Sequence, residues 1–382
     1  MLALSKNAVP FNRPTLLGGE FDNVLVAINS GKVAGDGRFT KLCNEWLETR
    51  LGAAKALLTH SCTAALEMAA LLCNLQTGDE VIMPSFTFVS TANAVVLRGA
   101  VPVFVDVDRR SFNIDPVAIA AAITTRTRAI FVVHYAGVPC DMDAINAIAR
   151  AYGLKVVEDA AQALGSTYKG RPAGTLADMA AFSFHETKNL NSGEGGALVL
   201  SNPDLAERAE IIREKGTDRS RFLRGQVDKY TWVDVGSSYL PSDILAAYLL
   251  TQLQDVDRIN TNRLATWNHY HVALAGLEAA GHFVRPQVPD YARHNGHLYS
   301  IILGDEVNRD DFLAAMRQNE VAATFHYVPL HSSPAGLKYG RTAGEMTVTD
   351  RISERLVRLP LYFDMGHGSD RVVEAVASYF TA

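Results

Sequence analysis

From residue 54 to about 200 the chain alternates short apolar runs with segments of helical spacing. The runs are Ala54–Thr59, Val81–Pro84, Val101–Val107, Ala129–His134, Lys155–Glu158, Met179–Phe184 and Ala197–Leu200. Between most of them lie apolar residues at helical intervals, over Ala64–Leu72, Val89–Arg98, Pro116–Ile123 and Met142–Tyr152. Continuous Val/Ile-rich strands separated by helices predict a mostly parallel seven-stranded sheet covered on both faces. That is the α/β doubly wound class, in which ligands sit at the carboxyl ends of the strands. Upstream, Pro10 and Pro14 predict an extended arm over residues 9–14. Helices are expected at Leu16–Ile28 and Phe39–Leu51, with a glycine-punctuated loop at 30–37 between them. Downstream, Ser242 to about Ala279 reads as a long helical region with an apolar stripe of Leu245, Leu249, Leu253 and Val256. The last hundred residues change texture. Strands at Leu298–Leu303 and Ala322–Val328 and helices at Arg309–Gln318, Thr349–Arg358 and Arg371–Phe380 suit a smaller α+β domain. The expected division is a large domain over residues 1–250 and a small one over 251–382.

At 382 residues the chain is long enough for two such domains. Its 48% hydrophobic and 20% charged content is ordinary for a globular protein. With 36 basic and 41 acidic residues, the net charge of -5 argues against nucleic acid or an anionic membrane as partner. Cys43, Cys62, Cys73 and Cys140 show no C-x-x-C pairing or metal spacing, which predicts reduced thiols in a cytoplasmic protein, without disulfides, cluster or metal. Met1–Asn7 lacks a charged segment followed by an apolar one, so no signal peptide is expected. No run reaches about 18 consecutive apolar residues, so no membrane span is expected. Arg213, Lys215, Arg219, Arg221, Arg224 and Lys229 outnumber Glu214, Asp218 and Asp228 around them, a surplus that suits a diphosphate or water equally.

Four groups fall where a doubly wound sheet places a site. Ser61-Cys62-Thr63-Ala64-Ala65 follows a strand and opens a helix, offering free N–H groups and a positive dipole end to a phosphate. An ordinary N-cap by Ser61 or Thr63 accounts for the same residues. Pro84-Ser85-Phe86-Thr87-Phe88 follows the next strand, and an aromatic there either stacks on a planar ligand or packs in the core. Glu158-Asp159-Ala160-Ala161-Gln162 ends a strand in adjacent carboxylates, which pair, cap a helix, or face a pyridine nitrogen and make its ring an electron sink. The last is Phe182-Ser183-Phe184-His185-Glu186-Thr187-Lys188-Asn189, followed by Gly193-Glu194-Gly195-Gly196. A strand-end lysine is either a solvated turn residue or, if enclosed, a neutral amine able to attack a carbonyl. Cradle, aromatic, carboxylate and amine in this order match what a pyridoxal phosphate site requires.

On these residues the sequence resembles the DegT/DnrJ/EryC1/StrS sugar aminotransferases, from Val9 to the C-terminus. Val105-Asp106-Val107, His134-Tyr135-Ala136-Gly137, His326-Tyr327-Val328-Pro329-Leu330-His331 and Leu359-Pro360-Leu361 continue the likeness. The resemblance implies the type I aminotransferase fold, pyridoxal phosphate as cofactor, and homodimers with sites at the subunit interface. By the same resemblance Lys188 is the Schiff-base lysine, Asp159 partners the pyridine nitrogen, and Gln162 lies near the phenolic oxygen. Phe88 lies at the ring's face, with Cys62, Thr63 and Ser183 around the phosphate. The family's partner-subunit segment corresponds to Gly236-Ser237-Ser238-Tyr239-Leu240-Pro241, with Ser238 in place of an asparagine. His331, Arg219 and Lys229 are candidates for binding the substrate.

His185–Asn189 and Arg224–Trp232 resemble the dTDP-4-amino-4,6-dideoxygalactose transaminase branch. That implies amino transfer from L-glutamate to C4 of dTDP-4-keto-6-deoxyglucose by a ping-pong exchange. The product would serve cell-surface glycans of the lipopolysaccharide O-antigen and enterobacterial common antigen kind. The 4-amino-4,6-dideoxyglucose-forming and 3-keto sugar aminotransferases are the alternatives. A dehydratase of the same fold replaces the lysine or adds an iron–sulfur cluster, and neither matches Lys188 and the scattered cysteines. A ligand-sensing regulator would need a basic or helix-turn-helix module, for which the chain has no room.

Overall fold

The computed structural model describes residues 8–381, so the Met1–Asn7 stretch lies outside it. All seven apolar runs form strands. In chain order they are β1 (Lys55–Thr59), β2 (Glu80–Pro84), β3 (Val101–Val105), β4 (Thr127–Val133) and β5 (Lys155–Asp159). A small hairpin of β6 (Thr167–Tyr168) and β7 (Arg171–Pro172) intervenes before β8 (Met179–Ser183) and β9 (Gly196–Leu200). The second half adds β10 (Phe283–Val284), β11 (Ala292–Arg293), β12 (Tyr299–Leu303), β13 (Arg341–Thr342) and β14 (Leu356–Leu359). The main sheet has eight strands in the order β1-β9-β8-β5-β4-β2-β3-β13. Strand β9 runs antiparallel to both neighbours, and the other pairings are parallel.

The eighth strand was not expected. It is two residues long and comes from the C-terminal third, where Arg341 pairs in register with Val103. The Arg341 guanidinium reaches Glu80 at the start of β2, with Nε to Oε1 at 3.0 Å and Nη2 to Oε2 at 2.8 Å. Arg126 donates to the same carboxylate at 2.6 Å. These arginines and Thr124 hold the Glu80 carboxyl down at about 2 although it is buried.

Strand pleat sorts the core into two layers. Leu58, Ile82, Val103, Ile130 and Val156 pack on one face of the sheet, under Phe39, Cys43 and Leu47. Their neighbours Leu57, Val81, Phe104, Ala129 and Val157 pack on the other, against the helix Cys62–Leu72. A separate core forms around the three-stranded sheet β10-β12-β14, with Trp267, Tyr270, Phe312, Met316, Val372 and Val376. Val9 joins this second core, and its arm is fixed by Val9 N–H to the Glu320 carbonyl at 2.9 Å.

Two C-terminal expectations fail. The helix expected at Thr349–Arg358 spans Thr347–Arg355 and gives way to β14, which pairs antiparallel with β12. Leu356 to Leu359 therefore alternates faces as a strand does. The expected strand Ala322–Val328 is irregular, tied down by single bridges from Val321 to Val9 and from Thr324 to Arg358. Its neighbours in space are backbones of the arm and of β14, which no local pattern encodes.

Candidate active site

A cavity of about 520 Å³ opens at the carboxyl ends of the central strands, at the place the topology dictates. Ser61 ends the turn after β1 in extended conformation, and its Oγ accepts from the Ala64 N–H at 3.1 Å. The hydroxyl is thus spent on capping the helix. The N–H groups of Cys62 and Thr63 in the first turn lack intrahelical acceptors and lie at the positive end of the dipole. Thr63 Oγ1 is 2.7 Å from Ser90 Oγ, and Cys62, Thr63, Ser90 and Ser183 all line the cavity. Gly196 pairs with Thr59 on one side and Ser183 on the other. A Cβ there would meet Cys62 N and the Ser61 carbonyl group at 2.4–2.5 Å. The glycine therefore makes room for the helix-opening turn itself.

Glu158 and Asp159 point to opposite faces of β5. Glu158 lies beneath the sheet, accepting the N–H groups of Gly174, Leu176 and Ala177 at 2.7–2.9 Å and contacting His134 Nε2 at 2.8 Å. Asp159 faces the cavity. Its Oδ2 accepts from Thr91 Oγ1 at 2.7 Å, and Oδ1 from the Ala161 N–H at 3.2 Å. Because Thr91 gives its proton to Asp159, Thr87, 3.1 Å away, must donate to Thr91. Burial raises the Asp159 pKa, opposed by these donors and by Lys188.

Lys188 sits on a turn closed by its own N–H to the His185 carbonyl at 2.9 Å, with Glu186 N–H bonded to the Gly193 carbonyl. The next residue anchors the turn. Buried Asn189 donates to Asn260 Oδ1 and the Asn295 carbonyl, and its Oδ1 contacts His297 Nδ1 at 2.9 Å. Lys188 opens onto the cavity within surrounding protein, and this enclosure lowers its pKa. Arg358 acts in the same direction; Cys62 and Asp159 oppose it.

Gln162 lines the cavity with its amide committed, Oε1 accepting from Ala136 N–H at 2.7 Å and Nε2 donating to Tyr327 Oη at 3.0 Å. Of the two phenylalanines after β2, Phe86 is fully buried against Tyr135 and Tyr327, whereas Phe88 stands 57% exposed on the cavity wall. Sequence reasoning missed Ser90, Thr91, His297, His326, Tyr327 and Arg358. The first two follow Phe88 on its helix, where a period-3.6 search from the strand end finds them. The other four come from the last hundred residues, on the far side of the cavity.

The structure does not bring four predicted residues to this cavity. Ser238 is exposed, pairing in a bridge with Glu214. His331 is held outside by Ser85 Oγ at 2.8 Å and Asp350 at 3.3 Å. Arg219 pairs with Glu214 at 3.0 Å, and Lys229 is exposed. The basic surplus is largely spent on acids outside its own stretch, as Arg213 pairs with Asp36 and Arg224 with Glu210, both at 2.7 Å.

An enclosed amine, a buried carboxylate kept apart from it, and a helix N-terminus with hydroxyls in one cavity fit pyridoxal phosphate. Aldehyde, ring nitrogen and phosphate each meet a group of matching chemistry. The fold and cavity thus place the molecule among the pyridoxal phosphate enzymes. The chain belongs to the DegT/DnrJ/EryC1/StrS aminotransferase family, whose sequence signature matches residues 17–377. It is similar to the spore coat polysaccharide biosynthesis protein SpsC of Bacillus subtilis, at 34% identity over 385 residues and 98% of each chain. Among solved structures it resembles DesV of S. venezuelae in complex with a ketimine intermediate, at TM-score 0.89 and 30% identity over 97% of this chain and 98% of that one. The PLP form of the sugar aminotransferase Spr1654 from Streptococcus pneumoniae matches at TM-score 0.89 and 26% identity, with the same coverage. The cofactor is pyridoxal phosphate.

Proposed function

We propose that the protein transfers an amino group from L-glutamate to C4 of dTDP-4-keto-6-deoxyglucose, giving dTDP-4-amino-4,6-dideoxygalactose for cell-surface glycans. The observation that carries the reaction type is Lys188, an enclosed amine of lowered pKa facing the same cavity as Asp159. The choice of substrate is supported by the likeness of His185–Asn189 and Arg224–Trp232 to that transaminase branch. When bound, pyridoxal phosphate supplies an aldehyde for a primary amine and a ring that takes up the electron pair released at the adjacent carbon. Lys188 Nζ carries the proton from the donor's Cα and returns it across the cavity. Asp159 keeps the ring nitrogen protonated, with Thr91 and the Ala161 N–H fixing the carboxylate in place. The N–H groups of Cys62 and Thr63, with Ser183, would hold the phosphate, and Phe88, also on the cavity wall, would stand at the ring's face.

The reading includes a homodimer in the cytoplasm, with the partner subunit's Ser238 reaching the phosphate. Exposed apolar side chains on the segment leading to Ser238 support it: Leu223 is 63% exposed and Trp232 78%. It also divides the chain near residue 250 into the two domains expected. The deciding experiment incubates the protein with L-glutamate and dTDP-4-keto-6-deoxyglucose and determines the C3/C4 configuration of the product by NMR. An axial C4 amine is expected. An equatorial C4 amine or a C3 amine would replace this substrate assignment by one of the alternatives.

A further inference from the structure

Strand β14 places Val357 and Leu359 in the second core and turns Arg358, between them, toward the cavity. The Arg358 backbone is held from both directions by Thr324, at 2.7 and 3.1 Å. Its side chain is much less committed. Nε and Nη2 share one acceptor, the Phe325 carbonyl, at 3.3 Å each, and the guanidinium lies 4.6 Å from the ring centre of Phe11 on the arm. Two of its five N–H groups are thus used, and the remaining three find no protein acceptor among the described residues. No carboxylate lies within ion-pairing distance among those residues.

The cavity's other charged groups are accounted for. Arg263 spends Nε and Nη2 on the carbonyls of Gly296, His297 and Leu361 at 2.6–3.1 Å. Asp159 is fixed by Thr91 and Ala161, and Glu194 stands at the exposed rim, 3.7 Å from His185. Arg358 is a partly buried, preformed guanidinium fork that lacks an anion.

We propose that Arg358 receives the α-carboxylate of the amino donor, pairing with it through two parallel N–H···O bonds. An α-carboxylate is one bond from the carbon that loses its proton to Lys188, so its receptor must stand close to that lysine. Arg358 and Lys188 line the same cavity, one from β14 and the other from the turn after β8, with His297 and His326 on its wall. The diphosphate of a nucleotide sugar is attached at C1, across the ring from C4, and suits a cation farther away. Phe11 backs the guanidinium and leaves its edge to the ligand.

The test separates the two half-reactions of the holoenzyme. L-Glutamate is titrated against the cofactor's absorbance without sugar, and the keto sugar is then titrated against the aminated form. In R358Q the glutamate concentration for half-conversion should rise roughly 10- to 100-fold, with little change in the sugar titration. R358K should fall between parent and R358Q, because a point charge replaces a two-pronged donor. Retained cofactor absorbance and an unchanged melting temperature identify a folded variant, and R358K serves alone if R358Q does not fold. An unchanged glutamate titration, a rise confined to the sugar, or equal losses for both substrates overturns the proposal.

Discussion

Lys188 owes its lowered pKa to enclosure, since its nearest acidic neighbours push the other way. Its amine is therefore neutral at a lower pH than that of an exposed lysine, which is what attack on an aldehyde requires. Lys188→Ala and Lys188→Arg should both abolish turnover and the lysine-linked absorbance of the bound cofactor, measured by steady-state assay and spectrum. Retained activity in either would remove Lys188 from its role. Thr91 gives a subtler test. Its hydroxyl donates to Asp159 and favours the charged carboxylate, so Thr91→Val should raise the Asp159 pKa further. The acid limb of the kcat/KM profile should then move to higher pH, and a shift to lower pH would contradict the assignment. Asp159 was legible in the sequence because it ends an apolar run, and Lys188 because it lies on the polar turn that follows one. Arg358 was not, because its stretch of sequence also satisfies a helical pattern.

At the scale of elements, the site depends on how closely β9 approaches the helix Cys62–Leu72. Gly196→Ala would drive a Cβ into backbone atoms of Ser61 and Cys62, which cannot move without moving the helix start. A loss of about 2 kcal/mol or more is expected from such overpacking, together with weaker cofactor binding. Chemical denaturation and cofactor titration of the variant would check both, and an unchanged cofactor affinity would show that the turn is not the cradle. The main strands and crossover helices were readable because buried parallel strands announce themselves as unbroken apolar runs. Strand β5 shows the limit of that reading. Its run ends in two carboxylates, and only the pleat decides that Asp159 faces the cavity while Glu158 satisfies backbone N–H groups below. Strand β13 was invisible because two residues carry no period.

On the scale of the whole molecule, Glu80 ties the central sheet to the C-terminal third through Arg341. Its folded pKa, about 2, lies below the ordinary 4.5. The pair's contribution is therefore fully present above pH 4.5 and is lost as pH falls toward about 2. Glu80→Gln should lower stability at pH 7 by about 1.5–3 kcal/mol and narrow the gap to the parent protein at pH 3. Melting curves at the two pH values would show it, and an equal gap at both would rule out the ion pair as the cause. The second core and the far wall of the cavity were the least legible parts, since Val9, Trp267 and Val357 meet there from opposite ends of the chain. That wall has a consequence for the order of assembly during synthesis. The cavity is lined by residues from Phe11 to Leu361. A growing chain can complete the main sheet up to β9 long before β14 leaves the ribosome, yet it has no enclosed place for the cofactor. Capture of pyridoxal phosphate is thus reserved for the finished polypeptide. Chains truncated before Leu356 should fail to retain it on gel filtration, and stable retention would show that the far wall is dispensable.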